Sequence, residues 1–244
     1  MSHFTERFQA VFQAARRLPQ LPQWLSAWHD AQLLETETQP LLDLNDLLTG
    51  CEAHRAPLKV AVLLSGGVDS SLALQLAKAA GHHVTAFYLR IWFQEDFRNF
   101  WDACPWEDDL QVCQQVCRDA GVPLEVVPLS QQYWDRVVHE SVSEIRAGRT
   151  PNPDILCNSR VKFGAFLEHL QHLEETDGRS YDRVASGHYA RLVRDENPAN
   201  PVRLALTPDA IKDQTYFLAR LSQHQLQCCL FPLGPLTKAQ GGER

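Results

Sequence analysis

Between residues 59 and 190 the apolar positions follow two alternating patterns. Short continuous runs, such as Val60–Leu64, give way to stretches in which apolar residues return at helical spacing, such as Leu72, Leu74, Leu76, Ala77 and Ala80. The first pattern predicts a buried strand and the second a helix. On this basis the chain runs as strand 59–64, helix 69–80 closed by Gly81, and strand Val84–Trp92. An aromatic, acidic loop Phe93–Trp106 follows, then helix Glu107–Ala120 closed by Gly121 and strand Leu124–Val127. Helix Tyr133–Arg146, ended by Gly148, helix Val161–Leu173 and strand Arg183–Ser186 complete the series. Strands alternating with helices predict an α/β class: a doubly wound, mostly parallel sheet with helices on both faces. In such a sheet the ligand lies beyond the carboxyl ends of the strands, at the switch point.

Residues 1–57 read differently. Phe4, Phe8, Val11, Phe12, Ala15 and Leu18 share one helical face, and Pro19 and Pro22 break it. Trp24, Leu25 and Trp28 start a second apolar stripe, and Leu41–Leu48 a third after Pro40. The expectation is an N-terminal helical extension, either packed on a main domain at 58–244 or serving a partner.

Composition narrows this picture a little. The 244 residues suit one sizeable domain plus an extension, and 44% apolar residues is the share of a globular chain. No apolar run approaches the roughly 18 residues of a membrane span, and the opening residues lack the apolar core of a secretory signal. A net charge of −7 argues against a uniformly basic nucleic-acid binder but leaves room for a local basic path. Seven irregularly spaced cysteines suit a reducing compartment better than a disulfide framework.

The chemistry starts where the first strand ends. Leu64, Ser65, Gly66, Gly67, Val68, Asp69, Ser70 and Ser71 carry the chain from strand to helix. The glycines let the backbone approach a ligand, the serines offer hydroxyls, and the helix start offers unpaired N–H groups. That is a cradle for phosphate; an ordinary strand-to-helix turn is the plainer alternative. The loop lacks the Lys-Ser/Thr of a Walker sequence, and Asp69 stands where a cation would be wanted. An acid there fits a site that manages a metal or a departing pyrophosphate.

The second informative stretch is Gly148–Asn158. Its prolines at 151 and 153 stiffen the backbone, and Asn152 and Asp154 offer polar groups on it. Cys157 stands ahead of a helix expected to begin near Ser159. The helix dipole with Arg160 and Lys162 would then favour its thiolate, as a nucleophile requires. The alternative is a buried structural cysteine. Cys113 and Cys117, one helical turn apart with Cys104 upstream, offer thiols to zinc or an iron–sulfur cluster, but no CxxC accompanies them and the helix's apolar face needs small residues, which favours the core. His82, His83, His169 and His172 read as scattered surface positions, and Cys228 and Cys229 as core residues of a Leu-rich helix.

Taken together, Ser-Gly-Gly-Val-Asp-Ser-Ser, Gly-Arg-Thr-Pro-Asn-Pro-Asp-Ile-Leu-Cys-Asn, Ser-Gly-His-Tyr (186–189) and Lys-Asp-Gln-Thr-Tyr-Phe-Leu (212–218) resemble the tRNA-specific 2-thiouridylases, PP-loop ATP pyrophosphatases of the adenine nucleotide alpha hydrolase-like fold. The likeness runs from about Leu58 to Gln240. Phe-Gln-Glu-Asp-Phe and the acidic insert after it resemble the plant and green-algal organellar branch, which implies a plastid or mitochondrion, with the cytoplasm as the alternative. The resemblance implies ATP and Mg²⁺ at Leu64–Ser71, with Leu89 against adenine and Gly187 seating the nucleotide. It implies that Asn152, Pro153 and Asp154 meet the target base and that Lys212, Asp213 and Gln214 touch the tRNA. Cys157 would be the nucleophile with Asp154 assisting, no metal would be held by protein ligands alone, and a persulfide donor protein would be a partner. Asp213 also suits a plain helix cap.

Family members carry a second cysteine in a Gly-Ile-Cys-Phe-type segment, with central and β-barrel domains beyond. This chain ends at Arg244 ahead of them, so the resemblance predicts an N-terminal half. The rival readings are a PP-loop ligase or amidotransferase acting on a small molecule, and a non-catalytic paralogue that only binds nucleotide or tRNA. The Pro-braced Cys157 discriminates against the first, since a ligase using free ammonia needs no thiol.

Overall fold

The computed structural model describes residues 47–53, 56–91, 105–195, 197 and 200–240. The helices expected within 1–46, the loop 92–104 with Cys104, and Trp92 lie outside the described residues.

Five strands form one parallel sheet: β1 (Lys59–Leu63), β2 (His83–Arg90), β3 (Leu124–Pro128), β4 (Arg183–Ala185) and a two-residue strand (Cys229–Leu230) numbered β7 below. Their order is β3-β2-β1-β4-β7. β1 therefore pairs with β2 on one side, Val62 opposite Ala86, and with β4 on the other, Val62 opposite Ala185. The chain moves outward from β1 to β3, then returns to start β4 beside β1. The switch point falls between β1 and β4, so the turns after these two strands share one crevice. Between β4 and β7 the chain makes a small antiparallel hairpin, β5 (Arg191–Val193) and β6 (Arg203–Ala205).

The central strand β1 is buried on both faces, which is why it reads as an unbroken apolar run. On one face Ala61, Leu63 and Phe87 pack with Cys157, Val161, Phe163 and Phe166. On the other, Val60, Val62 and Leu64 pack with Leu74, Cys113, Val116 and Cys117. The helices divide accordingly. α1 (Val68–Ala79) and α2 (Pro105–Ala120) cover the second face, and α3 (Ser130–Tyr133), α5 (Pro153–Cys157), α6 (Phe166–Asp177) and α7 (Gln223–Cys228) pack on the first, while α4 (His139–Arg146) buries no residue. α1 carries Asp69 in its first turn and Lys78 in its last, each complementing the helix dipole, and Gly81 at φ 85° ends it.

Several boundaries depart from the sequence reading. The helix expected at Val161–Leu173 is continuous from Pro153 to Asp177, because Asn152 caps it and Pro153 occupies its first position. Its middle, Asn158–Ala165, is π-helical, as is Trp134–Val138 between α3 and α4. A wide π turn weakens the regular backbone bonding, and side chains compensate. Gln225 donates to the carbonyls of Ser159 and Phe163 at 2.7 and 2.6 Å. Arg136 and Arg160 each donate to the other's carbonyl, at 3.3 and 3.0 Å. Periodicity counting at 3.6 residues per turn does not register such a segment. Cys229 lies on β7 rather than in the Leu-rich helix, which Cys228 ends.

Residues 47–53 are part of this packing. Leu47 and Cys51 are fully buried with Leu72, Leu76, Tyr189, Leu233 and Leu236. Glu52, also buried, bonds Arg194 Nε at 2.5 Å and Arg183 Nη2 at 3.3 Å. His82 is not at the surface as expected. It is buried, accepts from the Leu58 amide at 3.2 Å, and its other nitrogen meets the Cys51 carbonyl at 2.6 Å.

Candidate active site

The loop after β1 is closed by its own serines. Ser70 Oγ takes the Ser65 amide at 3.2 Å, meets Ser65 Oγ at 3.1 Å and donates to the Gly67 carbonyl at 2.9 Å, where Ser71 Oγ also donates. Gly66 stands at φ 80°, a region that favours glycine. Gly67 begins α1 with no side chain capping it. The first-turn N–H groups have no carbonyl to bond within the helix. A negatively charged phosphate fits such a helix start.

Gly187 follows β4 directly across the switch point. A Cβ at Gly187 would lie 2.6 Å from the Asp69 carbonyl carbon and 2.7 Å from the Ser70 nitrogen. Only a glycine lets this turn lie against the first turn of α1. Ser65–Ser71 and Gly187 are thus brought together. Leu64 is buried in the core, its amide on the Phe87 carbonyl at 2.9 Å, and anchors the loop from behind. Leu89 lies near the carboxyl end of β2, half-buried against the cluster that contains Cys157.

Cys157 is buried at the end of α5, in the second turn of a helix and not ahead of one. The expected thiolate-favouring dipole is therefore absent. Burial pushes the thiol above its ordinary range, with Lys162 opposing and Asp154 adding to the rise. Lys162 follows Cys157 by five residues, the spacing that π-helical bonding brings into line. It also acts on His188, whose imidazole is held neutral, down to about 3, by desolvation first and then by Lys162. His188 Nδ1 meets Ser186 Oγ at 2.8 Å, and its ring packs on Phe163 and Phe231. Arg160, the other cation expected to help, is turned to Glu140 at 3.4 Å. Cys157 shares its buried cluster with Leu63, at the end of β1, and with Phe163, whose ring meets that of His188 beside Gly187 at 6.1 Å.

Asn152 is half-buried and spends its side-chain oxygen on the Ile155 amide at 3.2 Å; Pro153 and Asp154 are exposed beside it. Asn158, next to Cys157, is buried and donates to the Phe217 carbonyl at 3.1 Å, while its Oδ1 has no partner among the described residues. Lys212 is exposed. Asp213 accepts from the amides of Thr207 and Thr215, at 2.8 and 3.0 Å, so it does hold the turn before the 3₁₀ helix Thr215–Leu218. Gln214 clasps Tyr189 twice: its amide bonds the Tyr189 carbonyl at 2.8 Å and its Oε1 takes the Tyr189 amide at 3.0 Å.

Two residues at this edge escaped the sequence reading. Tyr189 donates to Asp69 at 3.3 Å, and the ammonium of Lys238 is ion-paired with the same carboxylate oxygen. Their signal was only proximity to motifs: Tyr189 ends Ser-Gly-His-Tyr, and Lys238 follows Phe-Pro-Leu-Gly on the turn after β7. A hollow of about 660 Å³ lies elsewhere, lined by Lys59, His83, Thr85 and Arg179 at the amino ends of the strands. The switch-point rule gives that edge no ligand role. Among the described residues there is no cluster of His, Cys, Asp and Glu able to hold a metal by itself.

Fold and loop together define a parallel-sheet α/β protein with a glycine-bent strand–turn–helix unit at its switch point. The family model described as the tRNA methyl transferase HUP domain matches residues 58–241, and the chain belongs to that family. It is 45% identical over 181 residues to a tRNA-specific 2-thiouridylase MnmA of Hydrogenovibrio crunogenus, covering 74% of this chain and 45% of that protein. The corresponding protein of Parabacteroides distasonis is 39% identical over 183 residues, covering 75% and 48%. The chain spans about half the length of these curated relatives. A solved NMN synthetase from Francisella tularensis aligns at TM-score 0.35 and 18% identity, over 58% of this chain and 50% of that one.

Proposed function

We propose that the chain is the nucleotide- and thiol-bearing half of a tRNA-uridine 2-sulfurtransferase. The observation that carries this is convergence on one edge. The Ser65–Ser71 loop and the turn at Gly187 meet at the carboxyl ends of β1 and β4, and Cys157 lies in the buried cluster that contains Leu63, the last residue of β1.

The residues fit ATP: the uncapped start of α1 and the glycine-bent loop would hold its phosphates, and Gly187 leaves room for close approach. Mg²⁺, held by phosphate oxygens, water and at most Asp69, would shield charge on the leaving pyrophosphate. A uracil C2 carbonyl is a poor electrophile. Transfer of AMP to its oxygen, with loss of pyrophosphate, turns that oxygen into a leaving group. The terminal sulfur of a Cys157 persulfide then forms a bond to C2, and AMP departs with the oxygen. A second thiol must take the Cys157 sulfur as a disulfide, so that the inner S–S bond breaks and sulfur stays on C2. The wobble base would enter unstacked from the anticodon loop, past Asn152, Pro153 and Asp154. Lys212, Asp213 and Gln214 would meet the tRNA, and a persulfide-carrying protein would supply the sulfur.

Burial raises the Cys157 thiol, so its proton must leave before the sulfur can attack a donor persulfide. The test is ³²P-pyrophosphate–ATP exchange with and without unmodified tRNA, and mass spectrometry of 2-thiouridine after adding a persulfide donor. Wild type and Cys157→Ser should both support tRNA-dependent exchange, and only the variant should lack thiolation in a chain completed with its second thiol. Thiolation by Cys157→Ser at the wild-type rate would remove the cysteine from the chemistry. Exchange driven by a small molecule without tRNA would favour the ligase reading instead.

A further inference from the structure

The loop that receives phosphate contains no cation, yet one is delivered to it from the far end of the chain. Lys238 follows β7, and its ammonium is paired with Asp69, the second residue of α1. It is placed with some care. Its own amide donates to Asp209 Oδ2 at 2.8 Å, and its ammonium lies 5.6 Å from the centre of the Tyr189 ring. Asp209 also takes the amides of Ile211 and Lys212 at 3.0 and 3.1 Å, and these backbone bonds, that of Lys238 foremost, hold its carboxyl below the ordinary range. Tyr189 reaches Asp69 with its hydroxyl and is gripped by Gln214 through its backbone.

A helix start is the wrong place for a lone cation, because the dipole there is positive. One carboxylate offsets that repulsion, and an incoming polyphosphate would offset it further. We propose that Lys238 is a ligand of the pyrophosphate portion of the nucleotide, parked on Asp69 until the phosphates arrive. The inference rests on the nucleotide reading of Ser65–Ser71 and adds a residue to it. When the phosphates bind, the ammonium turns from Asp69 to a phosphate oxygen, and Asp69 becomes free for a metal ion. Because Asp209 and Gln214 fix Lys238 and Tyr189, the Lys212–Gln214 turn is joined to the same switch.

The experiment is calorimetric titration of the full chain with inorganic pyrophosphate in metal-free buffer, and separately with Mg·ATP. The proteins are wild type, Lys238→Met, Lys238→Arg and Asp69→Asn. Losing a charged hydrogen bond should weaken pyrophosphate about 10- to 100-fold in Lys238→Met, with Lys238→Arg retaining most of the binding. Asp69→Asn should bind metal-free pyrophosphate more tightly than wild type, since it releases the ammonium and removes a like charge. A merely structural ion pair predicts the opposite: both partners' variants weaken alike. That result, or wild-type affinity in Lys238→Met, overturns the proposal while leaving the nucleotide reading intact. Wild-type protein that binds neither pyrophosphate nor ATP overturns both. If Lys238→Met does not fold, Asp69→Asn decides by its sign, because it keeps the lysine.

Discussion

Replacing Gly187 by alanine tests the contact on which the site geometry depends. The added Cβ would stand 2.6, 2.7 and 2.8 Å from the Asp69 carbon, the Ser70 nitrogen and the Asp69 oxygen, all backbone atoms. Ordinary contact begins at 3.4 Å, so one side must yield by about 0.8 Å. The first turn of α1 has little freedom to do so, because Ser70 ties it to Ser65 and Gly67. Overpacking of this kind costs about 1–3 kcal/mol, which in a chain of this size lowers Tm by roughly 2–12 °C. The larger effect falls on the ligand, since a misplacement near 1 Å can cost about 100-fold in rate. Tm by scanning calorimetry and ATP–pyrophosphate exchange are the two assays. Gly81→Ala is the control: it has a positive φ, nothing within 4 Å of its Cβ, and lies at the other end of α1. It should lose stability and keep exchange. Wild-type exchange in Gly187→Ala would show that this turn does not shape the nucleotide site, whatever the change in Tm.

The protonation of Cys157 predicts that its alkylation by iodoacetamide rises half-maximally above the ordinary thiol value of 9.0, and further above it in Lys162→Met; a midpoint that stays put in the variant would dismiss the lysine's role. His188 titrates at about 3 in the fold against 6.5 for the free side chain. The unfolded chain therefore takes the proton first, and stability present above pH 6.5 is lost by about 1.4 kcal/mol per pH unit as pH falls toward 3. His188→Gln should flatten that part of the urea-denaturation profile, and an unchanged slope would refute the assignment. Glu52→Ala strips the carboxylate from two arginines that are 17% and 15% exposed. The cost should be about 3–5 kcal/mol, and a loss below about 1 kcal/mol would mean that water already neutralises the cluster.

The sequence alone determined the strand–helix alternation, the class of the sheet and the phosphate-type loop, because each is a local pattern. Buried parallel strands need unbroken apolar runs, and a backbone that bends at Gly66 needs glycine whatever surrounds it. Asn152 and Pro153 also wrote the start of their helix locally, but the expected dipole at Cys157 hid that signal. What only the tertiary structure decided is everything that depends on two distant segments meeting. His82 is buried because Leu58 and Cys51 arrive to bond it, and the π segment at Asn158–Ala165 persists because Gln225, more than sixty positions on, takes up its carbonyls. The Cys157 thiol is pushed above its ordinary range because the chain around it excludes water, a property of packing that no neighbour in sequence announces. The ion pair between Asp69 and Lys238 belongs to the same class. A charge in sequence carries no address, and the sheet order β3-β2-β1-β4-β7 supplies one by bringing the turns after three strands to a common edge.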